Sequence, residues 1–177
     1  IHKLYPELEI FILSGNHDSS ERLAFLKDIL DELKIHISTN PSLSLKPFIL
    51  DKKSAKCAVY QIPFLYPGSL QNEDGEYIKN QDELYKKLCD DILKEHNKNY
   101  SDCMSLICTH LMTVKSTVSD SERSFVGTAE EVDAVHFEGF DYTAVGHLHS
   151  FQKAGKKNNI FYSGSPLSYS FDDTNDK

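Results

Sequence analysis

Arginine is scarce in this 177-residue chain: Arg22 and Arg123 are the only two, and the net charge is -8. Modules that grip a nucleic-acid backbone are usually basic, so a dedicated nucleic-acid-binding role is disfavoured. The deficit weighs less against a nuclease, because metal ions can supply positive charge where a phosphate sits. No apolar run approaches the length of a membrane span, and no secretory signal is visible. The four cysteines, Cys57, Cys89, Cys103 and Cys108, form no CxxC pair. That removes zinc-finger spacing and points to reduced core thiols in a cytoplasmic protein. An initiator Met is also missing. The opening Ile1-His2-Lys3-Leu4 reads as the middle of a helix, so the chain is expected to be a piece excised from a longer polypeptide. Internal repeats, low-complexity tracts and linkers are absent as well.

What is present is ordinary for a folded domain. A hydrophobic share of 40% and a charged share of 26% suffice for a core without disulfide staples. Glu9-Ile10-Phe11-Ile12-Leu13 is a short apolar run ending in Ser14-Gly15, the pattern of a strand buried on both faces. After Asp18 the period changes. Leu23, Phe25-Leu26, Ile29-Leu30 and Leu33 recur at helical spacing, with Asp18 or Ser19 as the cap. Pro41, Pro47, Pro63 and Pro67 punctuate two strands, about 43–50 and 56–62. A second helix is expected over about 82–98, with Leu84, Leu88, Ile92 and Leu93 on one face. Buried strands follow at 104–108 and 142–145, and two closing strands flank the turn Gly155-Lys156-Lys157-Asn158-Asn159. Helices alternating with strands predict a layered α/β architecture. Three of the strands end in polar clusters containing His, and sites in such sheets gather beyond the carboxyl ends of strands.

The first cluster is Gly15-Asn16-His17-Asp18. Gly15 lets the backbone turn tightly out of the strand. Asn16 offers a neutral amide oxygen that can ligate a divalent cation. His17 can give a proton to a leaving oxygen, and Asp18 can orient its ring. A plain turn with an Asx cap and a surface His fits the same four residues. The second cluster, Thr109-His110, is a single His at a strand end and carries little weight alone. The third, Gly146-His147-Leu148-His149, lets both rings reach one metal, although a His-x-His arises often by chance. His2, His36, His96 and His136 read as structural or solvated, and the acidic pairs Glu73-Asp74 and Asp172-Asp173 as solvated loops. Phe64, Tyr66, Phe125 and Tyr169 have shapes that can stack on bases, with core or loop packing the readier use.

The order Asn-His, then His, then His-x-His, each after a buried strand, resembles the second half of the calcineurin-like metallophosphoesterase pattern. The flanks narrow the resemblance to the SbcD nuclease family. They are Ser20-Glu21-Arg22-Leu23, Ser121-Glu122-Arg123, Val126-Gly127-Thr128, the run from Phe140 to His149, and Phe161-Tyr162-Ser163-Gly164-Ser165-Pro166-Leu167. The resemblance implies a two-sheet α/β sandwich, layered α/β/β/α, of which residues 1–177 form the C-terminal portion of a partial nuclease domain.

By that resemblance Asn16, His110 and His147 are ligands of one metal and His149 of a second. His17 contacts the scissile phosphate and assists the leaving group. The implied metals are two divalent ions, usually manganese, bridged by a carboxylate. The implied reaction is DNA phosphodiester hydrolysis in end processing and repair. The implied partners are DNA, an SbcC-type coiled-coil ATPase and a second copy in the full-length complex, with no membrane. Two departures stand out. The Asp-x-His and Gly-Asp-x-x-Asp motifs expected before this stretch are missing, as is the capping domain expected after Pro166. The isolated chain is therefore expected to hold at most one metal and to be nearly inactive. Hydrolysis of a small nucleotide or phosphate ester, and a non-catalytic scaffold role, are the competing readings.

Overall fold

The computed structural model describes residues 3–52, 55–114 and 131–167. Ser121, Glu122, Arg123, Phe125, Val126, Gly127, Thr128, Tyr169, Asp172 and Asp173 lie outside them, as does His2.

Residues 3–9 form turns rather than continuing the helix expected there. Strand β1 (Ile10–Leu13) follows, then helix α1 (Ser20–Ala24) and helix α2 (Lys27–Glu32). Strand β2 (Ile35–Ser38) returns parallel to β1, pairing Ile10 with Ile35 and Leu13 with Ser38. Ser19 is the cap: its hydroxyl accepts from the Arg22 N–H at 3.4 Å. The single helix expected from the leucine spacing is two. It breaks at Leu26, whose φ of -106° and ψ of 13° leave helical geometry with no side-chain cap. Neither helix has a fully buried residue, so packing does not enforce a continuous helix, and packing is what usually does. β1 is likewise not buried on both faces; Ile12 is 37% exposed.

The strand expected from residue 43 begins late. Asn40 accepts from the Ser42 N–H, and Pro41 starts a 3-10 helix over Pro41–Leu43. Only beyond Pro47 does the chain extend, into β3 (Phe48–Lys52) and β4 (Ala55–Ile62), an antiparallel pair. Helix α3 (Gln81–Asn99) then crosses back, capped by Asn80 accepting from the Glu83 N–H at 2.9 Å. The remaining strands are β5 (Met104–His110), β6 (Met112–Thr113), β7 (Glu131–Val132), β8 (Tyr142–Gly146), β9 (Gln152–Ala154) and β10 (Ile160–Tyr162).

One six-stranded mixed sheet runs β3-β4-β5-β8-β10-β9, beside two-stranded parallel sheets β1-β2 and β6-β7. The core lies between the large sheet and α3. Leu84, Tyr85, Leu88, Cys89 and Ile92 from the helix meet Ala58, Tyr60, Ile62, Ile107, Val145 and Tyr162 from the strands. Burying each such apolar side chain contributes about 1.5–3 kcal/mol before chain entropy is counted. The four cysteines are free thiols. Among the described residues, no helix is long and apolar enough to cross a membrane.

Candidate metal centre

Parallel pairing puts the carboxyl ends of β5 and β8 side by side, with His110 opposite Gly146. β1 delivers the Gly15-Asn16-His17-Asp18 turn to the same rim, joined to the large sheet where the Phe64 N–H donates to the Ser14 carbonyl at 2.9 Å. Nε2–H of His110 donates to Asn16 Oδ1 at 3.0 Å, and the Asn16 amide N–H donates to His17 Nε2 at 3.3 Å. The His110 and His147 rings stand edge to face, centroids 5.3 Å apart. Asn16, His17, His110 and His147, expected from three separate motifs, therefore lie together. Ser165 N–H donates to the His149 carbonyl at 2.8 Å, tying the end of the His-x-His segment to the stretch after β10.

Two glycines shape the centre. A β-carbon on Gly15 would come within 2.9 Å of the His110 ring, and one on Gly146 within 3.0 Å. Gly15 opens the turn, its carbonyl accepting from the Asp18 N–H at 3.3 Å; its φ is not positive, and what excludes a side chain there is space. His147 instead carries the strain, with a φ of 110°. Such a conformation costs a β-substituted residue on the order of 1–3 kcal/mol and swings the chain out of strand geometry. Asp18 closes the turn by accepting from the Gly15 N–H at 2.7 Å. That contact is with the backbone.

Burial, the neighbouring His147 and nearby His17 outweigh the pull of Asp18 and bring the His110 pKa down to about 4. At neutral pH its imidazole is uncharged, the form that ligates metals.

Comparison with characterised proteins decides the family. The chain is 32% identical over 174 aligned residues to the SbcD component of the SbcCD nuclease of Staphylococcus epidermidis, covering 96% of this chain and 44% of that protein. It is 31% identical over 178 aligned positions to the same component of the SbcCD nuclease of Escherichia coli K12, covering 93% and 43%. The chain belongs to the SbcD family. No protein-family model matches it. It spans less than half the length of either relative.

In this SbcD-family chain two of the expected donors, Asn16 and His110, stand at a spacing that suits neighbouring ligands of one divalent ion. Two ligands about 2.1 Å from a cation and about 90° apart stand roughly 3.0 Å from each other, the separation of Asn16 Oδ1 and His110 Nε2 at 3.0 Å. Binding there would shift the His110 hydrogen to Nδ1. The set is poor in charge. Among the described residues no group of three or more His, Cys, Asp or Glu side chains is arranged to hold a metal, and the Asn16 amide stands outside that class of donors.

Two tyrosines support the site: Tyr85, which the sequence pattern did not single out, and Tyr66, read there as an aromatic for base stacking or packing. Tyr85, fully buried on α3, donates to the His110 carbonyl at 3.0 Å and accepts from the Leu65 N–H at 3.3 Å. Burial pushes its pKa far up, so it stays a hydroxyl. Its signal in the sequence is faint, a polar tip within an otherwise apolar helical stripe. Tyr66 donates to the Asn16 carbonyl at 2.8 Å, with its ring edge-on to Phe64. It serves the SbcD-type turn by hydrogen bonding, in line with loop packing as its readier use.

Proposed function

We propose that this chain forms part of the catalytic domain of a metal-dependent nuclease that hydrolyses DNA phosphodiester bonds during end processing, repair and recombination. The observation that carries the reading is the meeting of Asn16 Oδ1 and His110 Nε2 at 3.0 Å beside His147, in a chain whose relatives are named nucleases. Asn16, His110 and His147 would hold one divalent ion, manganese by family likeness, with His149 serving a second. When bound, the ions would neutralise phosphate charge and make water a better nucleophile.

The chain's own residues have separate tasks. His17 is exposed beside Asn16 and would contact the scissile phosphate and protonate the departing sugar oxygen. Asp18 braces the turn that presents it. Tyr66 and Tyr85 hold the backbone of Asn16 and His110, keeping their side chains aimed at one point. The remaining ligands, including a bridging carboxylate, would come from polypeptide outside these 177 residues. The partners would be DNA, an SbcC-type coiled-coil ATPase and a second copy in the whole complex. A net charge of -8 favours a second reading, hydrolysis of a small nucleotide or phosphate ester.

The test compares, in manganese, a full-length polypeptide carrying this sequence with its His17→Ala variant on duplex DNA ends and on a nucleotide ester. DNA degradation that drops roughly 10²-fold or more in the variant is expected. Faster turnover of the ester would favour the second reading, and full activity of His17→Ala would refute the role given to His17. The 177-residue chain by itself is expected to turn over little of either.

A further inference from the structure

The rim that carries the metal centre has a second concave feature. β1 and β2 run parallel, so the carboxyl end of β2 lies beside the Gly15-Asn16-His17-Asp18 turn. The two ends are joined where the Ser14 N–H donates to the Ser38 carbonyl at 3.1 Å. Next to that end opens a cavity of about 250 Å³, lined in part by Lys27 of α2, Ser38 and Thr39, Lys46 from the loop before β3, and Gln61 of β4. It is smaller than the roughly 300–1,000 Å³ of pockets that take whole small molecules, and suits a single phosphate group. Its chemistry is that of an anion site. In a chain of net charge -8, two lysines share this cavity, and neither has a carboxylate partner among the described residues. Lys34, by contrast, is paired with Glu7 at 2.7 Å and Lys87 with Asp91 at 2.8 Å. The one acid in the lining, Asp31, is turned to Nδ1 of His36 at 3.1 Å. Ser38 and Thr39 add neutral hydroxyl donors. The side-chain oxygen of Gln61 is buried with no hydrogen-bond partner among the described residues, so that amide can turn its NH2 to a ligand.

We propose that this cavity is a phosphate subsite, in which Lys27, Lys46 and Thr39 hold one phosphate of the strand whose scissile phosphate lies at Asn16 and His110. The inference rests on the nuclease reading for its substrate, and adds where that strand runs. One strand spacing of about 4.8 Å, with a residue or two of chain at each end, puts the cavity on the order of 10 Å from Asn16. That is roughly three nucleotides at about 3.4 Å of rise each. A phosphate held there fixes the direction and register of the strand across the metal centre without reading its sequence. It also gives an acidic protein a local cationic grip that its overall charge does not supply. A small phosphate ester, too short to span both places, gains nothing from it.

The test measures binding of duplex DNA ends by a full-length polypeptide carrying this sequence, with chelator present so that nothing is cut, between about 50 and 200 mM salt. Lys27→Gln with Lys46→Gln is expected to weaken binding by about tenfold or more at the low-salt end. The same pair should flatten the slope of log affinity against log salt by about 1 to 2. Lys27→Arg with Lys46→Arg should retain most of the affinity. In manganese, the glutamine pair should raise KM for DNA and leave turnover of a nucleotide ester unchanged. Lys94→Gln with Lys98→Gln removes the same charge at the far end of α3, and its effect should stay below about threefold, because distant charges are screened. Unchanged affinity and slope for the Lys27 and Lys46 pair overturn the proposal. So does an equal loss from the Lys94 and Lys98 pair, which would make the effect one of net charge. A protein that binds duplex through the two lysines but does not cut it in manganese would refute the catalytic reading and leave the phosphate contact standing.

Discussion

His110 lies between Gly15 and Gly146 with no room for a β-carbon on either side. Gly15→Ala must therefore displace the ring or the turn. A loss of about 1–3 kcal/mol in unfolding free energy is expected by chemical denaturation; no loss would mean the ring moves freely. Tyr85→Phe removes both a donor to the His110 carbonyl and an acceptor for the Leu65 N–H. Leaving those buried groups unpaired should cost about 1–3 kcal/mol, with no change in helix content. His110 also sets an acid limit. Its folded pKa of about 4 lies below its ordinary 6.5, so the unfolded chain takes up the proton first as pH falls. The stability it contributes is complete above about pH 6.5 and is lost on the way down to 4, on the order of 3 kcal/mol in all. Melting with chelator present, across that window, should show a shallower acid slope for His110→Gln; equal slopes would contradict the assignment. At this scale the sequence named the residues that meet, because each chemical type has few uses beside a strand end. It placed Gly15 in the turn but not the steric demand on it, which a residue far along the chain sets.

Among the elements, α3 was legible almost to its ends, since apolar positions repeat at 3.6 residues and Asn80 caps its start. β5, β8 and β10 were legible as short apolar runs, and β9 only from the turn it shares with β10. The helix after Asp18 was not, because its stripe predicts burial that this chain does not supply, and the strand before Pro47 lost to a 3-10 helix started by Pro41. The unit from β1 to β2 is thus the weakest-held part. It is a two-stranded parallel sheet, marginal by itself, under helices without a fully buried residue. Hydrogen exchange should show β1 and α2 amides opening at least ~100-fold faster than those of β4 and β5. Uniform protection would contradict a separately held unit, and a divalent metal that joins Asn16 to His110 should narrow the gap.

For the whole molecule, the alternation of helix and strand indicated layered α/β structure, but strand order was not readable. Nothing local says that β8 inserts between β5 and β10, a consequence of long-range pairing. That order is what brings His110 beside Gly146 and His147. The convergence of Asn16, His110 and His147 on one cation is the claim on which the functional account depends. It is tested most directly by crystals grown in manganese, with anomalous differences collected at the metal's absorption edge. The account predicts a peak bounded by Asn16 Oδ1 and the rings of His110 and His147, with no second ion of equal occupancy in the 177-residue chain. Two fully occupied ions, or manganese bound only at a surface remote from these three side chains, would contradict it.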